Sequence, residues 1–243
     1  TDPEVFHRDL SVMLDTLEDV IAGKIPQMEI AGISLGEYAP YMRAPHRMEL
    51  MVSAMTREGK WHCNQKCIHC YAAGQPLSEE QELDTESWKK IIRACRKAGI
   101  TQLTITGGEP TLRDDLFKLI SEARWFVTRL NTNGIRLTKE LCAELVQAEL
   151  DSVQVTFYSA DPDIHNELVG GAHYEETVAG IRNAVTAGIN LSINTPLCSL
   201  NKDYLETLKF LHNLGVRYVT CSGLIITGNA RTDESVRTQL SGE

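Results

Sequence analysis

The chain has 243 residues, and its 33 acidic and 24 basic side chains give a formal net charge of −9 at pH 7. A chain of this length can bury a sizeable core, as one large α/β domain or two small ones. The acidic balance argues against nucleic acid as a partner, because phosphate binding requires a basic face. The apolar runs are too short to span a bilayer and no signal-peptide pattern opens the chain, so we expect a cytoplasmic protein without a membrane partner.

The N-terminal region is predicted to be an extension of the main domain. Residues 3–22 show apolar side chains at helical spacing, with acidic residues on the other faces, which indicates an amphipathic helix. Residues 23–46 are rich in glycine and proline and predict a loop. We therefore expect an N-terminal extension over residues 1–46, a core over 47–226 and the start of a C-terminal segment over 227–243.

From about residue 47 onward, short apolar runs alternate with helical patterns. Such alternation is typical of βα units in a parallel sheet. Six units are too few for an eight-stranded barrel, which favours an α/β fold of partial (β/α)6 TIM-like barrel type or an open doubly wound sheet. Strands are predicted at 49–54, 102–106, 127–131, 152–158, 190–194 and 218–221. Helices are predicted at 85–98, 114–124, 138–148, 174–187 and 203–214.

Three of the seven cysteines lie within eight residues, in the stretch Cys63-Asn-Gln-Lys-Cys67-Ile-His-Cys70. A structural zinc site closes with four protein ligands, and iron–sulfur clusters usually have four cysteine ligands. A loop with three thiolates therefore leaves one coordination position for another ligand. A zinc site completed by His62 or His69 is the alternative.

A second motif, Gly107-Gly108-Glu109-Pro110, follows the next predicted strand. Because ligands bind at the carboxyl ends of strands in such folds, both motifs are expected at one rim of the sheet. Paired glycines let a backbone approach a ligand closely, and the Glu109 carboxylate can meet an ammonium group. Taken alone, the motif is equally compatible with a plain strand-to-helix turn.

The combination of a CxxxCxxC loop and a GGEP turn one βα unit later resembles the radical S-adenosylmethionine (radical SAM) superfamily, over roughly residues 47–226. The resemblance implies that Cys63, Cys67 and Cys70 bind three irons of a [4Fe–4S] cluster, whose fourth iron binds the methionine part of SAM. It further implies reductive cleavage of SAM to a 5′-deoxyadenosyl radical, which abstracts a substrate hydrogen atom. An electron donor such as flavodoxin or ferredoxin is then expected.

The resemblance also implies which residues contact SAM. The Gly107–Glu109 turn is expected to receive the methionine amino group, Ser159 to contact the ribose or carboxylate, and the ring of His69 to stack on the adenine. Thr132 and Asn194, each at the end of a predicted strand, are also expected to contact SAM, although both positions are compatible with ordinary turn chemistry. The complete expected set is His69, Gly107, Gly108, Glu109, Thr132, Ser159 and Asn194.

Two further features bear on the substrate side of the site. On the strand predicted at 152–158, Gln154, Thr156 and Tyr158 alternate with apolar residues, so their polar face lies either in a barrel lumen or at a solvent-facing edge. Cys221, near the rim on the last strand, is a candidate hydrogen donor to a substrate radical. The alternative is a buried structural cysteine, as expected for Cys95, Cys142 and Cys198.

The residues of these motifs are most similar to those of the branch of the superfamily that modifies peptides and related substrates. Members of that branch often have a cysteine-rich C-terminal extension called SPASM or twitch. No cysteine follows Cys221 in this sequence, so either the protein continues beyond Glu243 or it has no auxiliary cluster. We predict hydrogen abstraction from a peptide or protein side chain. The alternatives are a radical SAM enzyme that acts on a small molecule (a cofactor precursor, tetrapyrrole or sugar) and a non-catalytic iron–sulfur or zinc protein.

Overall fold

The computed structural model describes residues 2–24, 36, 39–232, 236 and 238–240. The chain forms two compact units, Thr1–Met42 and Arg43–Glu243. Most of the loop predicted at 23–46 lies outside the described residues.

The first unit contains helix α1, Pro3–Ile21, as predicted. Its start follows from local chemistry, since the Asp2 side chain accepts a hydrogen bond from the Glu4 N–H and proline occupies the first helical position. None of its residues is buried.

The second unit contains a six-stranded parallel sheet, which confirms the predicted α/β architecture. The strand order is β1-β4-β5-β6-β7-β8, so the sheet has β1 and β8 at its two edges. A two-stranded antiparallel hairpin, β2 with β3, stands apart from it. The strands are β1 Arg47–Met51, β2 Thr56–Arg57, β3 Lys60–Trp61, β4 Gln102–Thr106, β5 Val127–Thr132, β6 Ser152–Thr156, β7 Leu191–Pro196 and β8 Tyr218–Ser222.

Helices connect the strands of the sheet, as right-handed βα crossovers require. Helix α2 illustrates their sequence signals: Asp84 caps its N-terminus through the Ser87 N–H, and Gly99 ends it with φ +88°. The helices of this unit are α2 Thr85–Ala98, α3 Leu116–Glu122, α4 Lys139–Gln147, α5 Pro162–Val169, α6 Tyr174–Thr186 and α7 Leu205–Asn213. Within the described residues, no helix combines the length and apolarity needed to cross a membrane.

Strand alternation separates a core face of the sheet from a polar face. Leu103, Leu130 and Val153 lie on the core face and are almost fully buried in one cluster with the helices. The alternate positions carry polar side chains and are paired across the sheet, with Asn131 in register with Gln154 and Thr156 with Asn194. The polar face therefore forms the inner surface of the open barrel, where ligands are expected.

Several elements differ from the sequence-based expectations, among them the strand predicted at 152–158, which ends at Thr156. The first strand ends at Met51 instead of residue 54, because the Val52 carbonyl turns to accept a hydrogen bond from the Arg113 guanidinium. The β2–β3 hairpin then intervenes before the cysteine loop. Helix α5 was not predicted, although Asp161 followed by Pro162 is an N-terminal signal and the Asp161 carboxylate does cap the helix.

Candidate active site

A cavity of about 440 Å³ opens at the carboxyl ends of the strands of the second unit. The three motif cysteines, His69, Gly107 and Gly108 all line it. The polar face of the sheet contributes Thr106, Asn131, Thr132, Gln154, Thr156, Tyr158, Asn194 and Ser222 to the lining, and apolar side chains such as Trp61, Leu224 and Ile225 complete it. The polar residues of β6 therefore face the lumen and not a solvent-exposed sheet edge.

The cysteine loop is fixed to the end of helix α5. The N–H of Lys66 donates to the Val169 carbonyl at 3.1 Å, and the N–H of Ile68 donates to the Leu168 carbonyl at 3.1 Å. Gly170 ends the helix with φ +69°, and a Cβ atom there would lie 2.4 Å from the Lys66 carbonyl oxygen. Only glycine permits this approach between the helix end and the loop.

Backbone N–H groups point at two of the three thiols of the loop. The N–H of Gln65 points at the Cys63 sulfur at 3.5 Å, and the N–H of Ala73 points at the Cys70 sulfur at 3.3 Å. Burial raises the pKa of the Cys63 thiol to about 12 and also raises that of Cys67. Both thiols are therefore protonated at neutral pH unless a metal centre binds them, because metal binding requires the thiolate.

This donor set fits an iron–sulfur cluster. All three thiols line a single cavity, and N–H···S hydrogen bonds of the kind that tune such clusters point at two of the sulfurs. His62, the alternative zinc ligand, faces away: its Nδ1 lies 2.6 Å from Glu82 Oε1 and it does not line the cavity.

The glycine pair brings the two motifs into contact. A Cβ atom on Gly107 would lie 2.4 Å from Ser53 Oγ, and one on Gly108 would lie 2.6 Å from the His62 carbonyl oxygen. The Gly108 and Glu109 N–H groups donate to the Ser53 and His62 carbonyls, each at 3.0 Å. The absence of a Cβ atom at both glycines is therefore needed for packing against Ser53 and His62 in the segment before Cys63, a contact that differs from the predicted approach to a ligand.

Glu109 lies behind the cavity wall with no exposed surface. Its carboxylate accepts hydrogen bonds from the Thr111 N–H and hydroxyl, the Thr132 hydroxyl at 2.7 Å and the Asn133 N–H at 2.8 Å. Burial raises the pKa of Glu109. The four hydrogen bonds favour the charged form and oppose this effect, but burial is the larger of the two. The side chain is thus occupied in joining the turn after β4 to the turn after β5, which leaves the backbone of the glycine pair to face a ligand.

His69 is the one expected SAM contact whose polar atoms are only partly satisfied. Its ring is buried and lines the cavity, and Nε2 lies 2.6 Å from the Thr238 hydroxyl. Its Nδ1 is buried without a hydrogen-bond partner among the described residues. The ring can therefore still offer a polar atom as well as a stacking face to a bound ligand.

Three cysteine and serine positions lie outside the cavity. Ser159 is buried, and its hydroxyl accepts a hydrogen bond from the Asp161 N–H at 3.0 Å. Cys221 is exposed and shares the face of β8 with Val219, whereas Ser222 lines the cavity. Cys198 is fully buried in a small cluster with Tyr158 and Leu168. Because Cys221 faces away from the cavity, we do not retain it as a hydrogen donor.

A buried polar network beside the cavity was missed by sequence analysis. The Arg113 guanidinium donates to Glu82 at 2.9 Å and to Asp115 at 2.8 Å, while the second Glu82 oxygen meets His62. Thr85 donates to Asp115 at 2.6 Å. Although burial alone raises the pKa of Asp115, the bonds from Arg113 and Thr85 hold it below its ordinary value. Since the members come from separate segments, no spacing in the sequence could have revealed the network.

Comparison with known proteins identifies the family of this chain. The model of the radical SAM superfamily matches residues 62–211. Two relatives are each named "Probable GTP 3′,8-cyclase". The one from Thermococcus kodakarensis is 35% identical over 125 residues, which is 51% of this chain and 40% of the relative. The one from Methanopyrus kandleri is 32% identical over 165 residues, or 67% and 51% of the two chains. The chain thus spans about half the length of these relatives.

Solved structures share the fold at low sequence identity. Streptococcus suis SuiB bound to S-adenosylmethionine has a TM-score of 0.64 and 18% identity, over 74% of this chain and 41% of SuiB. SuiB bound to the precursor peptide SuiA has a TM-score of 0.66 and 16% identity, over 92% and 52%. Methylornithine synthase (PylB) has a TM-score of 0.62 and 13% identity, over 81% and 58%. With a family match over more than half of its residues, the chain belongs to the radical SAM superfamily of enzymes, whose cofactors are a [4Fe–4S] cluster and SAM.

Proposed function

We propose that Cys63, Cys67 and Cys70 bind the [4Fe–4S] cluster and that the cavity beside them holds SAM and the substrate hydrogen to be abstracted. The observation that supports this most is that all three motif thiols line the same cavity as the glycine pair. No other cysteine among the described residues lines it. The fourth iron position is thereby left for SAM.

The residues around the cavity have distinct roles in this proposal. The backbone of Gly107 and Gly108 receives the methionine amino group, His69 stacks on the adenine, and Thr132 and Asn194 contact the cofactor from the strand ends. When bound, the cluster supplies the electron, delivered by a reduced flavodoxin or ferredoxin, that cleaves SAM and generates the radical that takes the substrate hydrogen. The protein orients the reactants and excludes water from the radical.

We further propose that the substrate is a peptide or protein side chain. Asn131, Gln154, Thr156 and Asn194 line the cavity with hydroxyl and amide groups, which match the hydrogen-bonding capacity of peptide groups. Asn131 has a buried Oδ1 atom without a partner among the described residues, and it is an acceptor for a substrate N–H. SuiB, similar in fold, binds a precursor peptide.

The second candidate substrate is a small molecule, because the relatives with 32–35% identity are named as GTP cyclases. Binding of a nucleoside triphosphate requires several cationic groups. In the described part of the chain, Lys66 is the only lysine or arginine that lines the cavity. The charge of this cavity therefore favours the peptide over the nucleotide.

The cofactor assignment is tested by anaerobic reconstitution with iron and sulfide. We expect about four irons per chain, and 5′-deoxyadenosine after addition of dithionite and SAM. Cys67→Ala should lose both, whereas Cys221→Ala, which removes an exposed thiol outside the cavity, should keep both. A colourless zinc-loaded protein that leaves SAM intact contradicts the proposal.

The substrate class is tested by hydrogen transfer from deuterated probes. The first probe is a tryptic digest of fully deuterated bacterial protein, and the second is GTP deuterated on its ribose. Deuterium in 5′-deoxyadenosine from the digest alone supports a peptide substrate. Deuterium from GTP alone supports the nucleotide and contradicts the peptide assignment.

A further inference from the structure

The turn at residues 227–230, which follows β8, contacts the second half of the cysteine loop. The Asn229 N–H donates to the Cys70 carbonyl at 2.9 Å, and its side-chain amide donates to the Cys67 carbonyl at 3.4 Å. The Thr227 hydroxyl donates to the Tyr71 carbonyl at 3.2 Å. Two of these three carbonyls belong to the cysteines assigned to the cluster.

Gly228 makes this contact possible. A Cβ atom on Gly228 would lie 2.4 Å from the Ala73 carbonyl oxygen and 2.7 Å from the carbonyl oxygens of Cys70 and Tyr71. Its φ of +57° also disfavours any residue with a Cβ atom. Three carbonyls of the loop therefore converge on a position that only glycine can occupy, while the N–H of the next residue binds one of them.

We propose that the 227–230 turn is a positioning element that holds Cys67 and Cys70 in the geometry required for cluster binding. The inference rests on the assignment of these cysteines in the proposed function. The turn lies beyond residues 62–211, which match the superfamily model. The cysteine loop is thus bound from two elements. The end of α5 accepts hydrogen bonds from the Lys66 and Ile68 N–H groups, and the 227–230 turn donates to carbonyls later in the loop.

The physical basis is preorganisation of the ligands. The cysteine loop has no regular secondary structure, so its backbone groups depend on partners elsewhere in the fold. Groups that orient metal ligands typically contribute 10- to 100-fold to metal affinity. Loss of the turn removes the Asn229 hydrogen bonds to the Cys70 and Cys67 carbonyls and leaves the Cys67 carbonyl with only the Cys70 N–H, at 3.2 Å. The backbone that carries these two sulfurs is then held less firmly.

The test compares Gly228→Ala with Gly188→Ala. Gly188 has a similar φ of +72° but no atom within 4 Å of its Cβ position, so its substitution reproduces the backbone strain without the clash. The first measurement is hydrogen exchange of the metal-free chain over residues 63–73. We expect faster exchange in Gly228→Ala and parent-like exchange in Gly188→Ala.

The second measurement is iron loss from the reconstituted protein in the presence of a chelator. We expect Gly228→Ala to lose iron roughly tenfold faster than the parent, with Gly188→Ala unchanged. Thr227→Val, which keeps the side-chain shape and removes the bond to Tyr71, should show the same effects more weakly and keeps the test valid if Gly228→Ala does not fold.

The outcomes separate this inference from the proposed function. Parent-like exchange and iron retention in both 227–230 variants overturn the positioning role even if the parent binds a cluster. A parent that binds no iron overturns the cluster assignment, and the positioning role with it, whatever the hydrogen exchange shows.

Discussion

Gly108 packs directly against His62, the residue that precedes the first motif cysteine. A Cβ atom on Gly108 would lie 2.6 Å from the His62 carbonyl oxygen and 3.1 Å from the Cys63 Cβ. The N–H of the following residue, Glu109, donates to the same carbonyl at 3.0 Å. The GGEP turn therefore sets the position of Cys63 as well as facing the cavity.

Gly108→Ala is expected to displace the start of the cysteine loop, because backbone atoms and not a flexible side chain occupy the space. Overpacking of this kind costs about 1–3 kcal/mol of unfolding free energy, which urea denaturation measures. Iron content after reconstitution should fall as well. Gly223→Ala is the stability control, because nothing lies within 4 Å of its Cβ position. Parent-like stability and iron content in Gly108→Ala would falsify this account.

Glu109→Gln is expected to lower the unfolding free energy by about 2 kcal/mol, since a carboxylate oxygen with hydrogen-bond donors around it is replaced by an NH₂ group. The donors left without an acceptor come from Thr111, Thr132 or Asn133. The measurement is urea denaturation of the metal-free protein. A variant as stable as the parent, with SAM affinity reduced, would instead assign the carboxylate to cofactor binding.

Arg113→Met tests the buried network beside the cavity. Only 5% of the Arg113 side chain and 6% of the Glu82 side chain are exposed, and the variant removes the guanidinium that Glu82 and Asp115 share. Breaking such a pair costs about 3–5 kcal/mol. Arg93→Met is the matched control, because its ion pair with Glu122 is exposed at the surface and contributes at most about 1 kcal/mol. Equal losses in the two variants contradict the role of the network.

The sequence predicted the fold well because periodicity and end signals agree along most of the second unit. The helix predicted at 85–98 has those bounds, since Asp84 and Gly99 supply strong local start and stop chemistry. All six strands of the parallel sheet were predicted in the correct order along the chain. Each of them has either alternating apolar residues or a continuous apolar run. Helix α5 was missed because eight residues give too short an amphipathic pattern, and only its Asp161 cap marks it.

The site was predictable to the extent that its residues are adjacent in sequence. The glycine pair follows β4 directly, and the cysteine loop comes after the neighbouring strand β1 and the β2–β3 hairpin, so both motifs line one cavity. Partners brought together by tertiary folding were not predictable. Glu109 looked available to a ligand because nothing in the sequence places Thr132 and Asn133 against it. Neighbouring residues of β8 point to opposite faces of the sheet, so Ser222 faces the cavity and Cys221 does not. The sequence shows that Cys221 lies near the end of the strand but not which face it occupies.

His165 predicts a pH dependence of stability that is independent of the cofactor. It lies fully buried, its Nδ1 accepts a hydrogen bond from the Tyr158 N–H at 3.3 Å, and Nε2 has no partner among the described residues. Burial, and to a lesser extent the neighbouring His173, lowers its pKa from 6.5 to about 4. The folded chain thus keeps a neutral imidazole in a pH range where the unfolded chain is protonated.

The sign of the effect follows from proton binding. Between pH 6.5 and about 4 the unfolded state binds more protons at this site, so the unfolding free energy falls as the pH falls. The total contribution is about 3 kcal/mol. Urea denaturation at several pH values should show a shallower decline for His165→Asn, whose side chain can still accept the Tyr158 N–H. His212→Asn, at an exposed position on α7, should follow the parent. Parallel curves for the parent and His165→Asn exclude a titrating buried histidine as the cause.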